Sequence, residues 1–259
     1  MKKTSAIKIS TLALLGVTLS SPVLADDPVR FMVGGGSLNF DVSGTFADVD
    51  SGGSDIDLEK DLGLDGGNGT YIYVAVEHGI PLLPNVRLAY TELEDDADTR
   101  LDSTIVVDGL PFPEDTFVRS EADLSHTDLT LYYEVLDDGV NLDLGVTARQ
   151  FDGGISITGY NIFGTLTATQ SLDTIVPLLY GAVQFDLPIR GLYVAADGSA
   201  LAFDGSSFYD LWLKAGYVFS FGLGLELGYR KIDMQAEDVE GTDADITLDG
   251  QYLALVFAF

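Results

Sequence analysis

Apolar and polar residues alternate one for one through long parts of this chain. Leu223, Leu225, Leu227 and Tyr229 alternate with Gly224, Glu226, Gly228 and Arg230, and Val140, Leu142, Leu144, Val146 and Ala148 with Asn141, Asp143, Gly145, Thr147 and Arg149. Tyr209, Leu211, Leu213, Ala215, Tyr217 and Phe219 form a third set, against Asp210, Trp212, Lys214, Gly216 and Val218. A period of two places the two sets on opposite faces of a β-strand. Each run also matches the ~9–11 residues with which a tilted strand crosses a bilayer. The separators come in two alternating sizes. Short turns rich in Pro, Gly or Asp lie at 81–85, 137–139, 188–191 and 220–222, and longer polar stretches at 44–68, 95–120, 152–171, 202–207 and 235–245. Short turns at one end and long loops at the other describe an up-and-down antiparallel transmembrane β-barrel.

The pattern predicts ten strands, at about 29–42, 69–80, 86–94, 121–136, 140–151, 172–187, 191–201, 208–219, 223–234 and 247–259. An even count puts both termini on the short-turn side. Eight strands is the alternative, because two of the ten are irregular. Phe31 and Val33 differ in parity from Leu38, Phe40 and Val42, which suggests a bulge at Gly34-Gly35-Gly36, and Pro177 cannot donate to a sheet ladder. A soluble β-sandwich also uses alternating strands, but it gives no reason for loop lengths to alternate.

The start of the chain reads as an export signal over 1–25, with Lys2, Lys3 and Lys8, an apolar run from Ile9 to Leu19, and Val23-Leu24-Ala25 before the cleavage point. The barrel domain is then 26–259. Removing three Lys from 13 basic residues leaves 10 against 41 acids, so the charge falls from -28 to 10 - 41 = -31. Such a charge argues against a nucleic-acid partner. The 46% hydrophobic content excludes disorder, and the absence of Cys excludes a disulfide scaffold and thiol catalysis. The final residues, from Tyr252 to Phe259, place Leu253, Leu255, Phe257 and Phe259 on one face and end on an aromatic. This looks like the signal by which the outer-membrane assembly machinery recognises barrels, with Tyr252 included in it.

Several segments resemble an uncharacterised proteobacterial outer-membrane β-barrel family known for a Gly-Gly pair: DLGLDGGNGTYIYVAVEH (61–78), PLLPNVRLAYTEL (81–93), DLSHTDLTLYYEVLDD (123–138), VNLDLGVTARQFDG (140–153), FDLPIRGLYV (185–194), GLGLELGYR (222–230) and the closing strand. The resemblance implies the barrel fold and a place in the outer membrane of a Gram-negative bacterium, among lipid and lipopolysaccharide. It supplies no catalytic motif.

Strand parity sends a set of charged residues to the lumen: Arg30, Glu77, Arg87, Asp128, Glu134, Asp143, Arg149, Asp186, Asp210, Lys214, Glu226 and Arg230. Mutual pairing in a narrow interior is one reading, and a charged lining that selects solutes in a small pore is the other. His126 and Asp128 share the inward face near the outer rim, where the ten-stranded barrel proteases, the omptins, place their acids and a His-Asp pair. This chain has no second pair, Ser125 has the opposite parity, and no reaction is assigned. His78 has outward parity at the opposite end. Segments 45–68, 95–120 and 235–245 hold 19 of the 41 acids. These acids either solvate mobile loops or share divalent cations weakly with lipopolysaccharide phosphates, through Asp48, Asp50, Asp55 and Asp57 or through Glu94, Asp95, Asp96 and Asp98. No complete calcium loop or cofactor motif is present, so no metal ligand or cofactor is assigned.

Overall fold

The computed structural model describes residues 29–49, 53, 55–137, 139–161, 164–203, 205–239 and 241–259. The export signal expected over 1–25 lies outside the described residues. In chain order the strands are β1 (Val29–Asp48), β2 (Ile56–Asp57), β3 (Gly66–His78), β4 (Asn85–Glu92), β5 (Glu94–Arg100), β6 (Ile105–Val107), β7 (Leu110–Phe112), β8 (Phe117–Asp123) and β9 (His126–Asp137). They continue with β10 (Val140–Phe151), β11 (Gly153–Asn161), β12 (Gly164–Leu172), β13 (Ile175–Asp186), β14 (Leu192–Phe203), β15 (Ser206–Val218), β16 (Leu223–Val239) and β17 (Thr242–Ala258).

Ten strands, β1, β3, β4, β9, β10, β13, β14, β15, β16 and β17, pair antiparallel in that order, and β17 pairs back onto β1 from Met32↔Ala258 to Asp48↔Thr242. The chain is a closed ten-stranded barrel, and the eight-stranded alternative is excluded. Closure gives every barrel strand a hydrogen-bonded neighbour on both sides.

Alternation sorts the side chains. Phe31, Ile72, Leu88, Leu131, Leu144, Leu179, Leu213, Leu227 and Leu255 are exposed on the outer face, whereas Tyr71, Thr130, Thr147, Asp210 and Arg230 are buried inside. Strand β1 runs without a register shift against β17, so the expected bulge at Gly34-Gly35-Gly36 is absent. Its change of parity has another cause: Phe31 and Val33 sit on the outer wall, while Leu38, Phe40 and Val42 point into an apolar core in the long-loop half of the barrel. Gly34 faces inward, where the Tyr73 ring occupies the space a Cβ would need.

The stretches read as long loops are largely strand. β5, β8, β11 and β12 form a second sheet in the order β12-β11-β8-β5, each continuing a barrel strand beyond a short break. β4 passes into β5 at Leu93, β8 into β9 through Leu124-Ser125, β10 into β11 at Asp152, and β12 into β13 through Asp173-Thr174. The break before Ile175 also accommodates Pro177, which pairs with Ala148 of β10, while pairing with β14 begins only at Leu179. Strands β16 and β17 carry their ladder through most of 235–245. Between β1 and β3, β2 supplies Ile56 and the turn after it Leu58, Leu62 and Leu64 to the same apolar core, joined by Ile105, Val107 and Phe112 of the β6–β7 hairpin.

Candidate functional site

The charged residues assigned to the lumen divide into two groups at different depths. Arg30, Glu77, Arg87, Glu134, Asp143, Asp186, Lys214 and Glu226 line a polar vestibule of about 770 Å³, which the turn residues Gly139, Gly191 and Gly222 place at the short-turn end. Arg30 lies 3.6 Å from Glu77, whose other oxygen accepts from the Tyr132 hydroxyl at 3.0 Å. Glu226 accepts from Tyr193 at 2.9 Å and from Tyr252 at 2.8 Å. Asp197 receives Arg87 at 3.6 Å and Lys214 closer still. Asp186 sits exposed at the rim and accepts from Gln184 at 3.0 Å.

Above the vestibule the lumen is crossed by a sealed ionic layer. On one wall, Arg149 of β10 faces its register partner Asp128 of β9 and donates to it twice, at 2.7 and 2.6 Å. The same guanidinium reaches across the barrel to Asp210 of β15 at 2.7 Å. Arg230 of β16 donates to Asp210 through Nε at 2.9 Å and Nη2 at 2.6 Å, and to Thr91 of β4 at 3.3 Å. The side chains of Arg149, Asp210 and Arg230 are each no more than 2% exposed. Arg230 lies 4.2 Å over Trp212, which packs on Tyr71 and Tyr252, and Arg149 lies 5.2 Å over Phe208. Forked guanidinium–carboxylate pairs of this kind are geometrically specific and strong. They fix β9 and β10 to β15 and β16 across the interior.

His126 belongs to this layer and does not form a pair with Asp128. Its Nε2 lies 3.0 Å from Arg230 Nη2 and its Nδ1 lies 2.9 Å from the Leu124 carbonyl, so the ring donates through Nδ1 and accepts through Nε2. Both nitrogens are thus engaged. The Ser125 hydroxyl accepts from the Leu93 amide at 3.1 Å, which joins two strand breaks rather than arming a nucleophile. His78 keeps outward parity at the opposite rim, where its Nδ1 accepts from the Ile80 amide at 3.3 Å.

Sequence parity missed Asp197, the carboxylate shared by the Arg87 and Lys214 cations. Its strand, Leu192–Phe203, carries Ala-Ala-Asp-Gly-Ser-Ala at the centre and so lacks the large apolar residues that reveal a face. Within the proposed assembly signal, Leu253, Leu255, Phe257 and Phe259 are outward and exposed, and Phe259 stacks on Phe31 at 5.7 Å. Tyr252 departs from that set, since its opposite parity buries it in the lumen on Glu226.

Among the described residues the acid-rich segments do not gather into a single cluster. Glu94, Asp96 and Asp98 share one exposed face of β5 with Arg119 of β8, which meets Asp96 at 2.7 Å, Asp98 at 3.7 Å and Glu121 at 3.0 Å. Asp95 turns the other way and accepts from the Gly66 amide at 2.9 Å. Burial pushes the Glu94 and Asp95 carboxyls above the usual carboxylate range. Asp57 pairs with Lys60, and Asp50 lies outside the described residues. Among the described residues no group of three or more His, Cys, Asp or Glu side chains could hold a metal ion.

No protein-family model and no curated protein matches the chain, so the Gly-Gly family resemblance rests on the sequence segments alone. Solved structures that it resembles include Ail, the attachment invasion locus protein of Yersinia pestis, at 10% identity and TM-score 0.38 over 90% of this chain and 100% of that one. The translocator domain of the autotransporter NalP from Neisseria meningitidis matches at 10% identity and TM-score 0.40, over 90% and 89% of the two chains. The Pseudomonas putida toluene transporter TodX matches at 10% identity and TM-score 0.35, over 90% of each.

Proposed function

We propose that the chain is an integral outer-membrane barrel of a Gram-negative bacterium whose work is done at its outer surface rather than by conduction or catalysis. The observation that carries this reading is the seal. A polar vestibule opens at the short-turn end, but the Arg149–Asp210–Arg230 layer closes it, and the apolar side chains of Phe40, Ile56, Leu62, Leu64 and Ile105 pack above it. A solute-selective pore needs a continuous wet path, and buried apolar side chains in contact offer none. Beyond the rim, the second sheet presents Glu94, Asp96, Asp98 and Glu121 to solvent as an ordered surface. That surface supports binding to cell-surface partners and sharing of divalent cations with lipopolysaccharide phosphates.

Folded protein inserted into planar bilayers should be electrically silent. Discrete conductance steps whose selectivity changes in Arg87→Gln would establish the narrow pore instead. The rim-hydrolase reading has its own measurement, since cleavage of peptide or lipid by wild type that disappears in His126→Ala would restore it.

A further inference from the structure

Near the long-loop ends of β13 and β14 the ladder between them stops short. Strand β13 begins at Ile175 and pairs with β10 from that residue on, yet its pairing with β14 runs only from Leu179↔Ala200 to Asp186↔Tyr193. Leu201, Ala202 and Phe203 pair with β15 on their other side and have no partner on β13. Pro177, which has no N–H to offer a neighbour, sits in the unpaired stretch. Ile175 is 65% and Phe203 75% exposed at the two margins of the gap.

Behind the gap is an apolar cavity of about 440 Å³, and both margins line it, through Thr174 and Val176 on one side and Leu201 and Phe203 on the other. Its inner wall includes Phe151, Phe208, Met234 and Ile246. The hydroxyls of Ser206, Ser207 and Thr242 and the amides of Gln170 and Gln235 mark its outer rim, where Gln170 donates to Thr242 at 3.1 Å and ties the second sheet to β17. The volume lies within the roughly 300–1,000 Å³ of small-ligand sites, and few polar groups among apolar walls is their usual composition. Well-packed interiors leave few voids of this size, because unfilled apolar lining forfeits dispersion contacts.

We propose that this cavity binds one acyl chain of an outer-leaflet lipid, entering sideways between β13 and β14 while the lipid headgroup stays at the polar rim. The position of the mouth selects the occupant. It lies at the end of the outward row Leu179, Pro177 and Ile175, at the upper margin of the apolar belt, so a chain leaving the membrane enters without crossing water.

The test uses the folded barrel in phosphatidylcholine vesicles carrying a phospholipid with a diazirine in one acyl chain, followed by photolysis and mapping of the labelled peptides. Labelling of inward residues around Leu201, Phe208 and Met234 is expected, together with its loss in Met234→Trp, which fills the cavity, while labelling of the outer belt at Leu211 and Leu213 persists. Persistent belt labelling and an unchanged gel mobility difference between heated and unheated samples show that the variant is folded. Labelling confined to outward residues, or inner labelling that survives Met234→Trp, would overturn the proposal. Inner labelling by free diazirine-dodecanoate but not by the phospholipid would also overturn it, by showing a ligand that arrives through water.

Discussion

Replacing Asp210 by alanine is expected to be the most destabilising single change in the lumen, at about 3–5 kcal/mol, the usual cost of removing one partner from a buried ion pair. Asp210 accepts three N–H bonds from two guanidiniums that are otherwise sealed from water. Without it, Arg149 retains Asp128 and Arg230 retains only neutral acceptors, Thr91 and His126. Two buried cations are then left with one carboxylate, Asp128, which is bound to Arg149 alone. Arg230→Met should cost less, because Asp210 keeps its bond to Arg149 and the thioether fills part of the space over Trp212. Arg119→Met on the outer sheet should cost nothing measurable, since its three carboxylate partners lie in solvent. Urea unfolding of barrels refolded in vesicles measures all three. The single tryptophan, Trp212, is the reporter, because its ring lies 4.2 Å from the Arg230 guanidinium. Equal losses in Asp210→Ala and Arg119→Met would show that the ionic layer is wet and carries no special weight.

The ten-strand wall was legible because each strand of a barrel with an apolar outer face repeats an apolar residue at every second position. The same alternation made the lumen set legible, since a charged residue placed between Leu225 and Leu227 has nowhere else to go. Parity could not give depth. Lys214 and Arg230 both read as inward, yet one sits in an open vestibule and the other in a sealed layer, a difference created by residues on other strands. Nor could parity find strands whose outward face meets water. β5 reads Glu-Asp-Asp-Ala-Asp-Thr-Arg, where a period of two exists in burial but is hidden because both faces are polar. In β1 the apolar residues change faces without any bulge, because the barrel is polar below and apolar above. Pro177 was the one local signal of the shortened β13–β14 ladder, visible in sequence as an irregularity whose meaning depended on which neighbour it failed to pair with.

Changing Leu227 to arginine decides whether the exposed apolar face is covered by lipid. Leu227 is 62% exposed on β16, beside Leu253 of β17 and Ala215 of β15, with Tyr229 and Lys231 following on the same outer row. In a bilayer an arginine near the midplane of a barrel costs about 2–4 kcal/mol, falling to about 0–1 kcal/mol near the interface. The expected result is therefore a gradient: a loss of that size for Leu227→Arg in vesicles, and almost none for Asp245→Arg, which is exposed and pairs with Gln235, farther along the ladder than Tyr229 and Lys231. A water-exposed wall would reverse the expectation, because arginine in place of an exposed leucine relieves apolar surface and Leu227→Arg would be neutral or favourable. The position of Lys231, one outward step above Tyr229 and 3.6 Å from Asp233, marks where the chain itself first tolerates a cation on that row. If both arginine variants unfolded at the same urea concentration as wild type, the belt would not face lipid, and the sideways route into the β13–β14 cavity would lose its source.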